Sequence, residues 1–322
     1  MHGGGLFFLS SCTALDTIKG RPIFFQSDEY VVYQLKGGET PATLAERFLG
    51  DQKRSWVIED SNESVAFKQN EIVVIPLKEE NKGGLMADGF QAIPILCYHR
   101  FAKECDSPLC IPTRVFDRQM KYLKDNDYRV VTLGKLLGFL QYRHALPKRS
   151  VVITLDDGYR SAYDIAFPIL KKYGFTATLL IYTDYVGISK NAVTWNQLRE
   201  MKTEGFEVGS QTVSHCDLTK REAGEDDAAC TTRVVKELRM SKHIIDRELA
   251  QDTISLAFPY GRYNERVVAT CHKVGYKIAV SVRRGSNPFF FNPLFLKRDQ
   301  ILARDMRTFI SRLNTFHKLS LK

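Results

Sequence analysis

Three junctions along this 322-residue chain share one pattern. They are Lys172-Tyr173-Gly174-Phe175, Lys202 with Gly205-Phe206, and Lys273-Val274-Gly275-Tyr276. Each places a cation at the end of a helical pattern, then a glycine, then an aromatic that opens an apolar run. A cation complements the carbonyl end of a helix, and glycine readily takes the left-handed conformation that ends one. Seven strands are expected, at 93–98, 129–132, 151–155, 176–182, 206–211, 254–258 and 276–281. Helical patterns lie between them, such as Phe116, Met120 and Leu123 at i, i+4 and i+7. Such alternation argues for a parallel sheet with helices outside. The expected fold class is therefore α/β: a distorted, incomplete (β/α) barrel of about seven parallel strands, preceded by a small α+β domain.

In such barrels chemistry gathers at the C-terminal ends of the strands. Tyr98-His99-Arg100 ends the first expected strand, and Thr154-Leu155-Asp156-Asp157-Gly158 ends the third. The fifth ends in Gln211-Thr212-Val213-Ser214-His215 and the sixth in Pro259-Tyr260-Gly261. Adjacent strand residues point to opposite sides, but Gly158 permits a sharp bend. Asp156 and Asp157 can then face one cleft, one binding a metal and the other accepting a proton. The plain alternative is an Asp-Asp-Gly turn with one Asp capping the next helix.

Residues 1–27 read as a leader and linker. Leu9-Ser10-Ser11-Cys12 resembles a bacterial lipobox, in which Cys12 would be lipidated, although no basic segment precedes its short apolar stretch. Residues 28–78 read as strand–helix–helix–strand and resemble a LysM module. The matching residues are Tyr30-Val31-Val32, Gly38-Glu39-Thr40, Leu44-Ala45-Glu46-Arg47-Phe48, Asn62 and Ile75-Pro76, with Gln69-Asn70 where a Pro-Gly turn is usual. The resemblance implies binding to N-acetylglucosamine-containing glycans such as peptidoglycan; the alternative is a small structural appendage. Residues 79–92, with Lys82-Gly83-Gly84, read as a linker. The second domain covers 93–322.

The net charge of +9, from 46 basic and 37 acidic residues, suits anionic surroundings. No nucleic-acid-binding motif is present. Nothing approaches the ~20 apolar residues of a membrane span. The expected location is the cell envelope, as a periplasmic protein or a membrane-anchored lipoprotein. Seven cysteines include Cys105 and Cys110 in one loop-like stretch, where a disulfide or reduced thiols are equally compatible with the sequence.

Residues 93–282 resemble polysaccharide deacetylases of the NodB-homology type, the family 4 carbohydrate esterases. The pieces are Pro94-Ile95-Leu96-Cys97-Tyr98-His99-Arg100, Thr154 to Gly158, Gly209 to His215 with Asp217-Leu218, and Phe258-Pro259-Tyr260-Gly261-Arg262-Tyr263. The resemblance implies a hydrolase that removes N-acetyl groups from a GlcNAc-containing polymer, peptidoglycan or an exopolysaccharide. It implies Asp156 as general base, Asp157 and His215 as ligands of a divalent metal, and the backbone at Tyr260 as a holder of the oxyanion. Zinc is the expected metal, with cobalt, nickel or manganese as alternatives. Pro259, Tyr260 and Trp195 are candidate sugar contacts, as is the Phe289-Phe290-Phe291 run.

Three departures stand out. Gln211 occupies the position of the first metal-binding histidine. It can coordinate through oxygen, or leave the metal to Asp157, His215 and water, or be replaced in that role by His99. No Leu-x-His motif supplies a general acid, which leaves water or Asp156 to protonate the departing amine. Ala257-Phe258 replaces an arginine usually found there, so Arg283, Arg284 or Arg298 would have to pair with Asp156. The rival expectation is a glycan-binding envelope protein with an impaired site; an O-deacetylase or another C–N hydrolase is a third.

Overall fold

The computed structural model describes residues 23–78, 81–302 and 305–319; Cys12 lies outside them. The chain divides into two compact units, residues 1–80 and 81–322.

The first unit runs β1 (Ile23–Gln26), β2 (Tyr30–Gln34), α1 (Pro41–Leu49), α2 (Ser55–Ser61) and β3 (Ile72–Pro76). Its sheet is antiparallel, in the order β1-β2-β3. Alternate residues of β2 and β3 face inward: Val31, Tyr33, Val73 and Ile75 pack with Leu44, Ala45 and Ile58 of the helices. Thr40 caps α1 in a reciprocal box with Thr43, and Gly50 ends the helix in a left-handed conformation. β1 lies within the stretch read above as leader. All four of its residues are exposed, so no inward alternation marks it as a strand.

Asn62 joins helix to sheet in this unit. Its amide nitrogen donates to the carbonyls of Ile58 and Val74, both at 2.7 Å, and its oxygen accepts from Val74 N at 2.9 Å. The residue is buried, so removing the amide strands backbone groups away from water. Asn62→Ala is expected to destabilise this unit by about 1–3 kcal/mol. Thermal melting of the full chain, followed by amide signals of β2 and β3, checks this; an unchanged midpoint for those signals would contradict it.

The second unit is built on a parallel sheet. Its strands are β4 (Ile95–Tyr98), β5 (Arg129–Val131), β6 (Ser150–Asp157), β7 (Thr178–Ile181), β8 (Glu207–Ser210), β9 (Ser255–Ala257), β10 (Ile278–Val280) and β11 (Asp299–Gln300). They run β10-β9-β8-β7-β6-β4-β11, with β5 also paired to β6. The intervening helices are α3 (Thr113–Asp125), α4 (Leu133–Leu140), α5 (Phe167–Lys172), α6 (Trp195–Thr203), α7 (Asp227–Leu249) and α8 (Glu265–Val274). This is the expected incomplete barrel. The stretch 296–300 spans its gap: Leu296 bridges to Val280 of β10, while Asp299 and Gln300 pair with Leu96 and Cys97 of β4.

The three repeated junctions behave as their sequence dictates. Gly174, Gly205 and Gly275 have φ of 71°, 85° and 105°, where a Cβ would strain the backbone. Phe175, Phe206 and Tyr276, which follow them, are buried. Each such side chain contributes about 1.5–3 kcal/mol relative to exposure.

Part of the stretch read as linker belongs to this unit. Leu85–Met86 and Gly89–Ile93 pair with each other, and the latter also with Asn287–Pro288 and Phe316–Lys318. Ile93 precedes β4, so the Phe289–Phe291 run beside it lies at the N-terminal end of the barrel, away from the strand ends that carry Asp156 and Asp157. Cys105 and Cys110 are joined by a disulfide. Among the described residues no helix is long and apolar enough to cross a membrane.

Candidate active site

β6 is the longest strand of the barrel and lies between β4 and β7. Its inward residues carry the site. Asp156 and Arg298 are each 1% exposed and form a two-pronged ion pair: Nη1 donates to Oδ1 at 2.7 Å and Nη2 to Oδ2 at 2.8 Å. Two further donors of Arg298 are used. Nη1 reaches Thr154 Oγ1 at 3.0 Å and Nε reaches the Ser281 carbonyl at 2.7 Å. Burial works against the charge of Arg298, but the adjacent Asp156 more than offsets this and raises its pKa above the ordinary guanidinium value. Of the three arginines named from sequence, Arg298 is therefore the one that holds Asp156.

The chain turns at the next residue. Asp157 has φ 72° and Gly158 φ 79°, which swings Asp157 off the strand. Its Oδ1 stands 3.5 Å from His215 Nε2. Burial pushes the Asp157 carboxyl up to about 6; Asp156 adds to the rise, while His99, Arg298 and a hydrogen bond from the Gln211 side chain oppose it. Burial also lowers the pKa of His215 from its ordinary value.

His215 sits in the loop after β8. Thr212 (φ 73°) and His215 (φ 62°) are both left-handed here, a conformation that costs non-glycine residues free energy. Glu237 of α7 holds the loop. Its Oε2 accepts from Val213 N and Ser214 N at 2.9 and 3.0 Å, and its Oε1 accepts from the Ser214 hydroxyl at 2.9 Å. Sequence reading misses Glu237, which is 24 residues downstream of Val213 and lies in an unremarkable helical pattern.

Gln211 is buried between the two candidate ligands. Its Oε1 accepts from Asp157 N at 2.9 Å, and its Nε2 lies 3.1 Å from His215 Nε2. Tyr260, in the Pro259-Tyr260-Gly261 turn, has φ 58°, is 59% exposed and sets its ring 4.8 Å from the His215 ring. Tyr182 flanks His215 on another side, with ring centroids 5.2 Å apart. Pro259, the first residue of the Tyr260 turn, is buried. Trp195, the first residue of α6, is half-buried and packs against the main core.

His99 directly follows β4 and is buried. Ligand-capable atoms of Cys97, His99 and Asp156 lie within 4.8 Å of one another. A cation among these three would compete with Arg298, which already occupies both oxygens of Asp156. The better fit is elsewhere. Ligand atoms at about 2.0–2.2 Å from one tetrahedral ion lie roughly 3.4 Å apart, which matches the separation of Asp157 Oδ1 and His215 Nε2. Those two residues fit a divalent ion, while Gln211 turns its amide nitrogen, a donor, toward His215.

Two outcomes follow. Arg298→Met leaves a carboxylate buried without its partner and is expected to cost about 3–5 kcal/mol, read from urea unfolding; a loss below about 1 kcal/mol would show that the pair is not as buried as described. In the metal-free protein, the Asp157 carboxyl carbon is expected to titrate with a midpoint near 6 by NMR, protonated below and anionic above. A midpoint in the ordinary aspartate range, about 4, would refute the buried environment.

Residues 143–279 match the sequence profile of the family described as polysaccharide deacetylase. YxkH of Bacillus subtilis (strain 168) is 31% identical over 194 residues, covering 60% of this chain; the match spans 66% of that protein, just under two thirds of its length. The poly-β-1,6-N-acetyl-D-glucosamine N-deacetylase of Staphylococcus aureus (strain MSSA476) is 25% identical over 265 residues, covering 81% of this chain and 89% of that protein. Among solved structures, the Streptococcus pyogenes deacetylase PplD in complex with acetate is similar with a TM-score of 0.63 and 28% identity. That likeness covers 69% of this chain and 98% of PplD.

Proposed function

We propose that this chain, whose residues 143–279 match the polysaccharide deacetylase profile, is a polysaccharide deacetylase that hydrolyses N-acetyl groups of a polymer containing N-acetylglucosamine. The observation that carries the reading is the pairing of two differently held carboxylates on one strand end. Asp156 is fixed by Arg298, and Asp157 faces His215 at 3.5 Å.

The roles follow from these environments. A carboxylate offers about four lone-pair sites, so Asp156 keeps acceptor capacity after Arg298 has taken two and the Cys97 thiol one. It accepts the proton of the attacking water. Asp157 and His215 would hold a divalent cation, zinc or a harder ion such as manganese, which would supply Lewis acidity toward the acetamide carbonyl. The backbone N–H of Tyr260 is assigned to the developing oxyanion. The C–N bond then breaks, the nitrogen takes up a proton, and acetate and a free amine leave. His99, buried beside Asp156, is assigned to carry that proton.

The substrate class rests on the Staphylococcus aureus relative, whose name specifies a β-1,6-linked GlcNAc polymer. Exposed Tyr260 and the neighbouring Tyr182 offer faces on which a sugar ring can stack. The first unit, read as a LysM-like module, would bind the same glycan and raise the local concentration of substrate. With it goes a location in the cell envelope, through a lipid on Cys12 or in the periplasm.

Acetate release from β-1,6-linked GlcNAc oligomers, and from peptidoglycan for comparison, tests the proposal. Asp156→Asn is expected to lower the rate by about 10²–10⁴-fold, and a chelator to suppress it until a divalent ion is restored. Retained activity in Asp156→Asn would remove Asp156 from the mechanism. Glycan binding without acetate release, whatever divalent ion is added, would favour the rival reading of an impaired binding protein, which the amide at Gln211 makes specific.

A further inference from the structure

The amide of Gln211 has its two ends in fixed and opposite roles. Its oxygen accepts from the Asp157 backbone N–H. Turning the amide over would set an NH₂ against that N–H, donor facing donor, so the backbone dictates the orientation. The nitrogen end then lies 3.1 Å from His215 Nε2 and also donates to the Asp157 carboxyl. An amide nitrogen only donates, so His215 Nε2 is the acceptor and the neutral ring carries its hydrogen on Nδ1. The donated hydrogen occupies the lone pair of Nε2, and that nitrogen, 3.5 Å from Asp157 Oδ1, is the one a cation would need. Gln211 is buried, and its own backbone N–H is bonded to the Ile181 carbonyl at 2.6 Å. The side chain is therefore positioned from both ends.

We propose that Gln211 is a latch and not a metal ligand: its oxygen fixes the turn at Asp157, its nitrogen caps His215 Nε2, and a divalent cation reaches that nitrogen only by displacing it. The latch rests on the assignment of Asp157 and His215 as the metal ligands of the proposed deacetylase. It makes the site one that holds its ion through two side chains and exchanges it readily. A histidine at this position could supply a third nitrogen; the amide instead supplies order to the turn.

The test measures metal alone, without substrate, so an inactive enzyme and an absent latch are separate results. Zinc and manganese binding to the full chain is measured by calorimetry for the wild type, Gln211→Glu and Asp157→Asn, the last locating the ion. In Gln211→Glu the new carboxylate would keep one oxygen for the Asp157 N–H and turn the other, a ligand, toward His215. Zinc is expected to bind Gln211→Glu at least about tenfold more tightly than the wild type. Equal or weaker binding by a folded Gln211→Glu would overturn the latch, because the wild-type oxygen would then already be a ligand. A second readout needs no variant. The Gln211 side-chain NH₂ is expected to be protected from solvent exchange in the metal-free protein and released when zinc saturates the site. Protection that persists at saturation would equally overturn the proposal.

Discussion

The buried pair of Arg298 and Asp156 joins the last stretch of the barrel to its central strand. Arg298 lies on the 296–300 stretch that spans β10 and β4, and Asp156 lies on β6. Taking both charges out of water costs several kcal/mol per ion, and only good geometry with every donor satisfied offsets it. Here two parallel bonds join the groups, and Thr154 and Ser281 take two further donors of Arg298. One interaction thus ties the 296–300 stretch to β6 and fixes the orientation of Asp156, the carboxylate proposed to accept the proton.

Around that fixed point the backbone is bent. Asp157, Thr212, His215 and Tyr260 all sit at positive φ, each at a cost of order 1–3 kcal/mol. The surrounding bonds hold them there: Gln211 to the Asp157 N–H, Glu237 to the loop before His215, and Thr212 Oγ1 accepting from His215 N at 3.1 Å. The strain aims side chains that a regular strand would send to opposite faces. A lone strand end could carry one such group; the parallel order of β6, β7 and β8 brings several strand ends to one rim.

Much of this is legible in the sequence, for local reasons. The glycine junctions, the apolar runs and the Asp-Asp-Gly turn are set by nearest neighbours, and all seven expected strands appear within a few residues of their read positions. What escapes reading depends on distance along the chain. Arg298 cannot be chosen over Arg283 or Arg284 from sequence, because the choice is made by a pairing 142 residues away. β11, with two residues, is too short to carry a period, and β1 buries no face that would mark it. Gln211 stands out in the sequence as the departure that matters, but its orientation is set by the backbone N–H of Asp157, a group that side-chain sequence does not display.

The central claim is that these residues form a working amide hydrolase and not only a glycan-binding fold. Mass spectrometry of β-1,6-linked GlcNAc oligomers incubated with the metal-loaded full chain addresses it most directly. The account predicts one free amine on the sugar for each acetate released. Oligomers that keep every acetyl group, beside a folded protein with its ion bound, would contradict it.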